Sequence, residues 1–180
     1  MDLRLACPDD IPQLEALIEC SVRELQAPYY STAQMDGALG SVFGVDRQLI
    51  SDQTYFVIEE SQAIIACGGW SKRESLFGAS AARSREDALL DPSRDPARVR
   101  AFFVHPAHAR RGLGRAILLA CEKAIRAAGF RSIELVATLP GVPFYDAFGY
   151  RPGRGYEVPL VNGLSLPVVP MTKTLAGADE

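Results

Sequence analysis

The densest chemical signal in the chain lies between Phe102 and Arg115. A strand-like run, Phe102-Phe103-Val104-His105-Pro106, stops at proline and gives way to Arg110-Arg111-Gly112-Leu113-Gly114-Arg115, where a helical pattern begins. A helix starting there presents several N–H groups with no intrahelical acceptor, at the positive end of its dipole. Gly112 and Gly114 keep side chains away from the main chain, and Arg110, Arg111 and Arg115 add positive charge, a combination suited to a pyrophosphate. Gly-x-Gly alone is a weak signal, and two other phosphate loops do not fit. The nucleoside-triphosphate loop needs a Gly-Lys-Ser/Thr ending that is missing, and the dinucleotide fingerprint needs a third glycine where Ile117 stands.

These residues need a scaffold, and the hydrophobic pattern supplies one. Leu3 to Cys7 reads as a strand, followed by a helix carrying Ile11, Leu14, Leu17, Ile18 and Leu25, which Pro28 ends. Ser31 can cap a second helix over residues 33–39. Tyr55–Ile58 and Ala63–Trp70 read as a hairpin. Arg98–Val104 is a further strand, with Val99, Ala101 and Phe103 expected on one face and Arg100, Phe102 and Val104 on the other. A helix from Gly112 to a Gly129 cap and a strand over Ser132–Thr138 complete a strand-helix-strand unit with parallel strands. A short helix over Pro143–Phe148 and two strands, Tyr156–Val161 and Val168–Thr174, close the pattern, with Asn162-Gly163 between the strands. The expected class is mixed α/β: a mostly antiparallel central sheet with one parallel pair, flanked by helices.

Length and composition narrow the function. A chain of 180 residues that is 48% hydrophobic suits one domain, residues 1–180. A net charge of −3 argues against a general nucleic-acid or anionic-membrane binder. No apolar run approaches the roughly 20 residues that cross a bilayer, and the first ten residues do not read as a signal peptide, so a cytoplasmic protein is expected. Cys7, Cys20, Cys67 and Cys121 are far apart and read as reduced, mostly buried thiols. His105 and His108 lack a nearby Cys or carboxylate to complete a shell, so no metal is expected.

The order of elements, the Phe-Phe-Val-His-Pro strand end, Arg111-Gly112-Leu113-Gly114-Arg115 opening a helix, and Phe144-Tyr145-Asp146-Ala147-Phe148-Gly149-Tyr150 after the next strand resemble the GNAT superfamily of acyl-CoA-dependent N-acetyltransferases. The topological likeness spans nearly the whole chain. It implies a sheet that splays after the fourth strand, where main-chain groups of Phe102, Phe103 and Val104 would bind the pantetheine arm of acetyl-CoA. The same resemblance assigns the pyrophosphate to Arg110, Arg111, Gly112, Leu113, Gly114 and Arg115, with further cofactor contacts from Thr138 and Phe144. It makes Tyr145 the general acid, the proton donor to the departing thiolate. Two positions depart from the family pattern: Ala109 stands where Arg or Gln is usual, and Thr138 where Asn is frequent.

The function implied is transfer of acetyl from acetyl-CoA to a primary amine of a small molecule or peptide. A non-catalytic acyl-CoA sensor and an enzyme for a longer acyl-CoA are the alternatives, and a homodimer stays open. No general base is evident; Glu134 and Glu74 are candidates. Tyr29, Tyr30, Trp70, Phe77 and a lid over residues 71–97 could line the acceptor site, with Trp70 the better fit to the core.

Overall fold

The computed structural model describes residues 1–76 and 88–175. Among these residues eight strands form one sheet: β1 (Asp2–Leu5), β2 (Tyr55–Glu60), β3 (Ala63–Ser71), β4 (Ala97–Val104), β5 (Ser132–Thr138), β6 (Arg151–Pro152), β7 (Tyr156–Pro159) and β8 (Ser165–Thr174). Their order is β1-β2-β3-β4-β5-β8-β6, with β7 also on β8, and every pairing is antiparallel except β4 with β5. The mixed α/β class read from the sequence is the class observed.

Among the described residues five α-helices flank the sheet: α1 (Ile11–Leu25), α2 (Thr32–Ala38), α3 (Arg47–Ser51), α4 (Leu113–Ala127) and α5 (Val142–Ala147). Each long helix covers one face. α1 buries Leu14, Leu17, Ile18, Ser21 and Val22, a stripe at i, i+3, i+4, i+7 and i+8, in a core shared with Tyr55, Val57, Phe43 and Phe103. α4 buries Leu113, Ile117, Leu118, Cys121 and Ile125 against the other face, with Val99, Ile133, Leu135 and Tyr145. Gly129, at φ +90°, ends α4 in a Schellman arrangement: its N–H bonds the Arg126 carbonyl and that of Phe130 the Ile125 carbonyl.

The caps explain the shorter elements. Ser31 and Gln34 exchange side-chain and backbone hydrogen bonds to start α2, and Gln34 Nε2 reaches on to the Ser165 carbonyl. Asp46 Oδ1 accepts from the N–H groups of Gln48 and Leu49 to start α3. Asn162 and Gly163, at φ +81°, stand in the turn between β7 and β8.

Three expectations need correction. β4 does not alternate as a regular strand. Ala101 stands at φ +62° and the register with β3 slips between Cys67 and Gly69, so Arg100 and Ala101 both face the α1 side. Val99 therefore packs with α4 while Phe103 packs with α1, opposite faces rather than one. The Tyr55 hydroxyl holds the bulge by donating to the Ala101 carbonyl at 3.2 Å. The first strand ends at Leu5, short of Cys7. Of the four free cysteines, only Cys67 and Cys121 are buried, while Cys7 is exposed. Residues 77–87 of the expected lid over residues 71–97 lie outside the described residues.

Candidate active site

β4 and β5 are paired only through Ala97–Ile133 and Arg98–Glu134. Beyond that point β5 keeps β8 on its far edge through Thr138, while β4 stays on β3, and the two strands separate. Arg98 Nη1 and Glu134 Oε2 form an ion pair at the point of separation. The opening becomes a cleft of about 530 Å³, lined by residues 99–104 of β4 and 136–138 of β5.

The cleft runs through the sheet. On the α4 face its walls are Arg110, Gly112 to Arg115, Phe144 and Tyr145; on the α1 face they include Ser21, Gln26 and Phe43. A ligand lying in it can meet one set of groups on one side of the sheet and another set on the other.

The α4 corner is built from main chain. Arg110 at φ +64° and Gly112 at φ +81° curl the approach to the helix, as in anion-binding nests of successive amides. Among the described residues, the N–H groups of residues 110–115 have no acceptor, and the first helical bond starts at Ala116, to the Gly112 carbonyl. No side chain caps this end. An ideal Cβ on Gly112 would meet nothing within 4 Å, so it is the left-handed backbone rather than space that calls for glycine there, while one on Gly114 would come 3.3 Å from Phe144 Cζ. Glycine at 114 thus admits the Phe144 ring onto the helix start.

The arginines divide. Arg110 and Arg115 line the cleft. The Arg111 side chain turns away to Glu60 at the β2–β3 turn, Nη2 to Oε1 3.2 Å, with His108 Nδ1 3.4 Å from the same carboxylate and 2.5 Å from Arg111 Nη1. Only the amide of Arg111 remains at the corner, so the charge expected from its guanidinium is used elsewhere. Among the described residues no three His, Cys, Asp or Glu side chains come together as a metal site.

Along the splayed edge, among the described residues, Val104 N–H reaches only Ser21 Oγ, at 3.4 Å, beyond the usual range for such a bond. Phe102 and Phe144 pack edge-on to Tyr145, with ring centroids at 6.2 and 5.0 Å. Tyr145 is only 8% exposed and lines the cleft, and among the described residues nothing hydrogen-bonds its hydroxyl. Burial holds its phenol above the ordinary tyrosine range, so the group keeps its proton. Thr138 lies on the cleft wall at the end of β5.

The aromatics expected around the acceptor separate similarly. Trp70 is core, edge-on to Phe130 at 6.1 Å. Tyr29 is 51% exposed. Tyr30 is buried as a tie: its hydroxyl donates to the Pro167 carbonyl and accepts from Leu139 N–H, both at 2.8 Å, pinning the α1–α2 turn to β8 and the end of β5. Phe77 lies outside the described residues. Glu134 is committed to Arg98.

Across β4, Asp46 is fully buried and accepts from Arg100 Nε at 2.7 Å; Arg100 Nη1 also donates to the Ser75 carbonyl. Sequence reading missed this pair, together with Ser21, Gln26 and Phe43. One signal was present: Ser21 interrupts the apolar stripe of α1, and a polar residue on a buried stripe marks a place where the helix meets something other than core.

An open mixed sheet, parallel only at β4–β5 and split beyond the first two pairs, with bare amides at the start of the following helix, is the fold of acyl-CoA-dependent acetyltransferases. The model of the acetyltransferase (GNAT) family matches residues 20–150, and the chain belongs to that family. No curated protein matches it. Among solved structures, a GCN5-related N-acetyltransferase from Rhodopseudomonas palustris superposes with a TM-score of 0.73 at 22% identity, covering 97% of this chain and 95% of that one. The PaiA N-acetyltransferase of Thermoplasma acidophilum, in complex with coenzyme A, gives 0.63 at 13% identity over 96% and 98%. A GNAT family acetyltransferase of Brucella melitensis, in complex with acetyl-CoA, gives 0.57 at 16% over 99% and 90%.

Proposed function

We propose that the protein transfers the acetyl group of acetyl-CoA to a primary amine that enters from the α1 face of the sheet. The observation that carries this reading is the cleft itself, which joins unpaired amides at the start of α4 to a protonated tyrosine at the split between β4 and β5.

The amides of residues 110–115 hold the diphosphate, and Arg110 and Arg115 supply charge beside it. The open edge of β4 at Phe102, Phe103 and Val104 offers main-chain groups to the pantetheine arm, and Thr138 and Phe144 close the opposite wall. Tyr145 stands where a thiolate can be protonated. The amine nitrogen bonds to the thioester carbonyl carbon, the C–S bond breaks, the phenol gives its proton to the departing sulfur, and the proton shed by the nitrogen restores the phenol through water, leaving the amide and the CoA thiol. A phenol kept neutral by burial stays a donor at pH values where an exposed tyrosine begins to ionise.

Calorimetric titration with CoA, followed by acetyl-CoA consumption against a panel of primary amines, tests the reading. Saturable CoA binding and turnover with at least one amine are expected. Binding with no turnover across the panel would make the protein an acyl-CoA sensor instead, and tighter binding of propionyl- or succinyl-CoA than of acetyl-CoA would change the donor. Tyr145→Phe should lower kcat by about 10²-fold with CoA affinity nearly unchanged. The alkaline fall of the wild-type rate should lie above the usual tyrosine range near pH 10, because a raised pKa extends the protonated form upward. Equal turnover in Tyr145→Phe removes that role.

A further inference from the structure

Gln26 stands in the cleft with a polar atom that the fold leaves unmatched. It caps the C-terminal end of α1, is 7% exposed and lines the α1 side of the cleft. Its backbone is fixed: N–H to the Val22 carbonyl, and its own carbonyl taking the N–H groups of Tyr29 and Tyr30. Its side-chain Oε1 is out of contact with water and has no hydrogen-bond partner. A buried amide oxygen without a donor is destabilising and rare in folded proteins. The final torsion of a glutamine is soft and roughly two-fold, so a turn of the amide can present this oxygen to the cleft.

The surroundings define what would meet it. Leu25, Val42, Phe43 and Leu76 also line the cleft and are apolar. The carbonyl end of α1 carries partial negative charge, which favours an ammonium or amine N–H. The charged side chains lining the cleft among the described residues are Arg100, paired with Asp46, and Arg110 and Arg115; none is a carboxylate, so a second positive charge on the ligand finds no counter-charge there.

We infer that Gln26 is the acceptor-binding residue, its Oε1 taking a hydrogen bond from the nitrogen of a monocationic primary amine with an apolar body. This rests on the acetyltransferase reading above and adds the acceptor class and the residue that selects it. The amide oxygen is no base; it binds and orients the nitrogen while the apolar walls hold the body.

The test uses phenethylamine and spermidine as probes, titrated into CoA-saturated wild-type protein and Gln26→Met, with acetyl-transfer KM measured alongside. Wild type should bind phenethylamine at least tenfold more tightly than spermidine. Gln26→Met should weaken phenethylamine binding, and raise its KM, by about 10- to 100-fold with KM for acetyl-CoA unchanged. Because the substitution removes an orphaned buried oxygen, the melting temperature of the free variant should rise by about 2–4 °C. A merely structural glutamine would move stability and acceptor affinity downward together. Gln26→Glu, which keeps an acceptor oxygen, should bind phenethylamine within about threefold of wild type, and this variant carries the test if Gln26→Met does not fold. Equal phenethylamine affinity in wild type and Gln26→Met, loss in Gln26→Glu matching that in Gln26→Met, or preference for spermidine overturns the inference and leaves the acetyltransferase reading standing. Failure of wild type to bind CoA overturns that reading, and the inference with it.

Discussion

At the start of α4 the cleft wall is main chain, a run of amides whose placement depends on two left-handed residues, whereas across β4 the wall is side chain, an Asp46–Arg100 pair sealed from water beside Ser21 and Gln26. The difference teaches which substitutions each wall tolerates. A corner made of amides survives changes to neighbouring side chains, because the donors belong to every residue type except proline. A wall made of a buried ion pair does not, since each partner left alone is an uncompensated charge in low dielectric.

The largest effect expected is at the side-chain wall. Asp46→Ala removes both the partner of Arg100 and the cap of α3, and should cost about 3–5 kcal/mol in urea denaturation. Asp46→Asn keeps an oxygen for the cap and should lose measurably less; equal losses would mean that the charge, not the cap, sets the wall. Next comes Gly112→Ala in the main-chain corner. At φ +81° a Cβ costs roughly 1–2 kcal/mol, and CoA affinity should fall by about tenfold as the amides shift. Unchanged affinity in calorimetry would show that the corner is not held by this residue. The smallest effect is expected for Glu60→Gln, which frees the exposed Arg111 side chain. Melting temperature and CoA affinity should both stay at wild-type values. A large loss of CoA affinity would make Arg111 part of the cradle and break the distinction between the two walls.

Much of the α4 corner was legible in the chain because its signals are local. A strand stopped by Pro106, glycines at 112 and 114, and an apolar stripe from Leu113 to Ile125 each act within a few residues, so spacing alone places a helix start with bare amides. The same holds for the Ser31–Gln34 capping box and the Gly129 end of α4. The regular alternation expected of β4 failed because Ala101 has no sequence signature for φ +62°; its conformation is held by Tyr55, 46 positions earlier in the chain. That slip moved Ala101 and Phe103 to the α1 face, where Arg100 meets Asp46.

The sequence by itself determined the class of sheet and the place of the helix that follows the fourth strand, because periodicity, glycine and proline act on neighbouring residues; the choice of Tyr145 came from the resemblance to the acetyltransferases. The tertiary structure alone decided which arginines face the cleft, where β4 and β5 part, and that Gln26 and Ser21 stand on the far wall. Those outcomes depend on pairings between distant segments, Arg111 with Glu60, Arg98 with Glu134 and Arg100 with Asp46, whose energies exist only once burial brings the partners together.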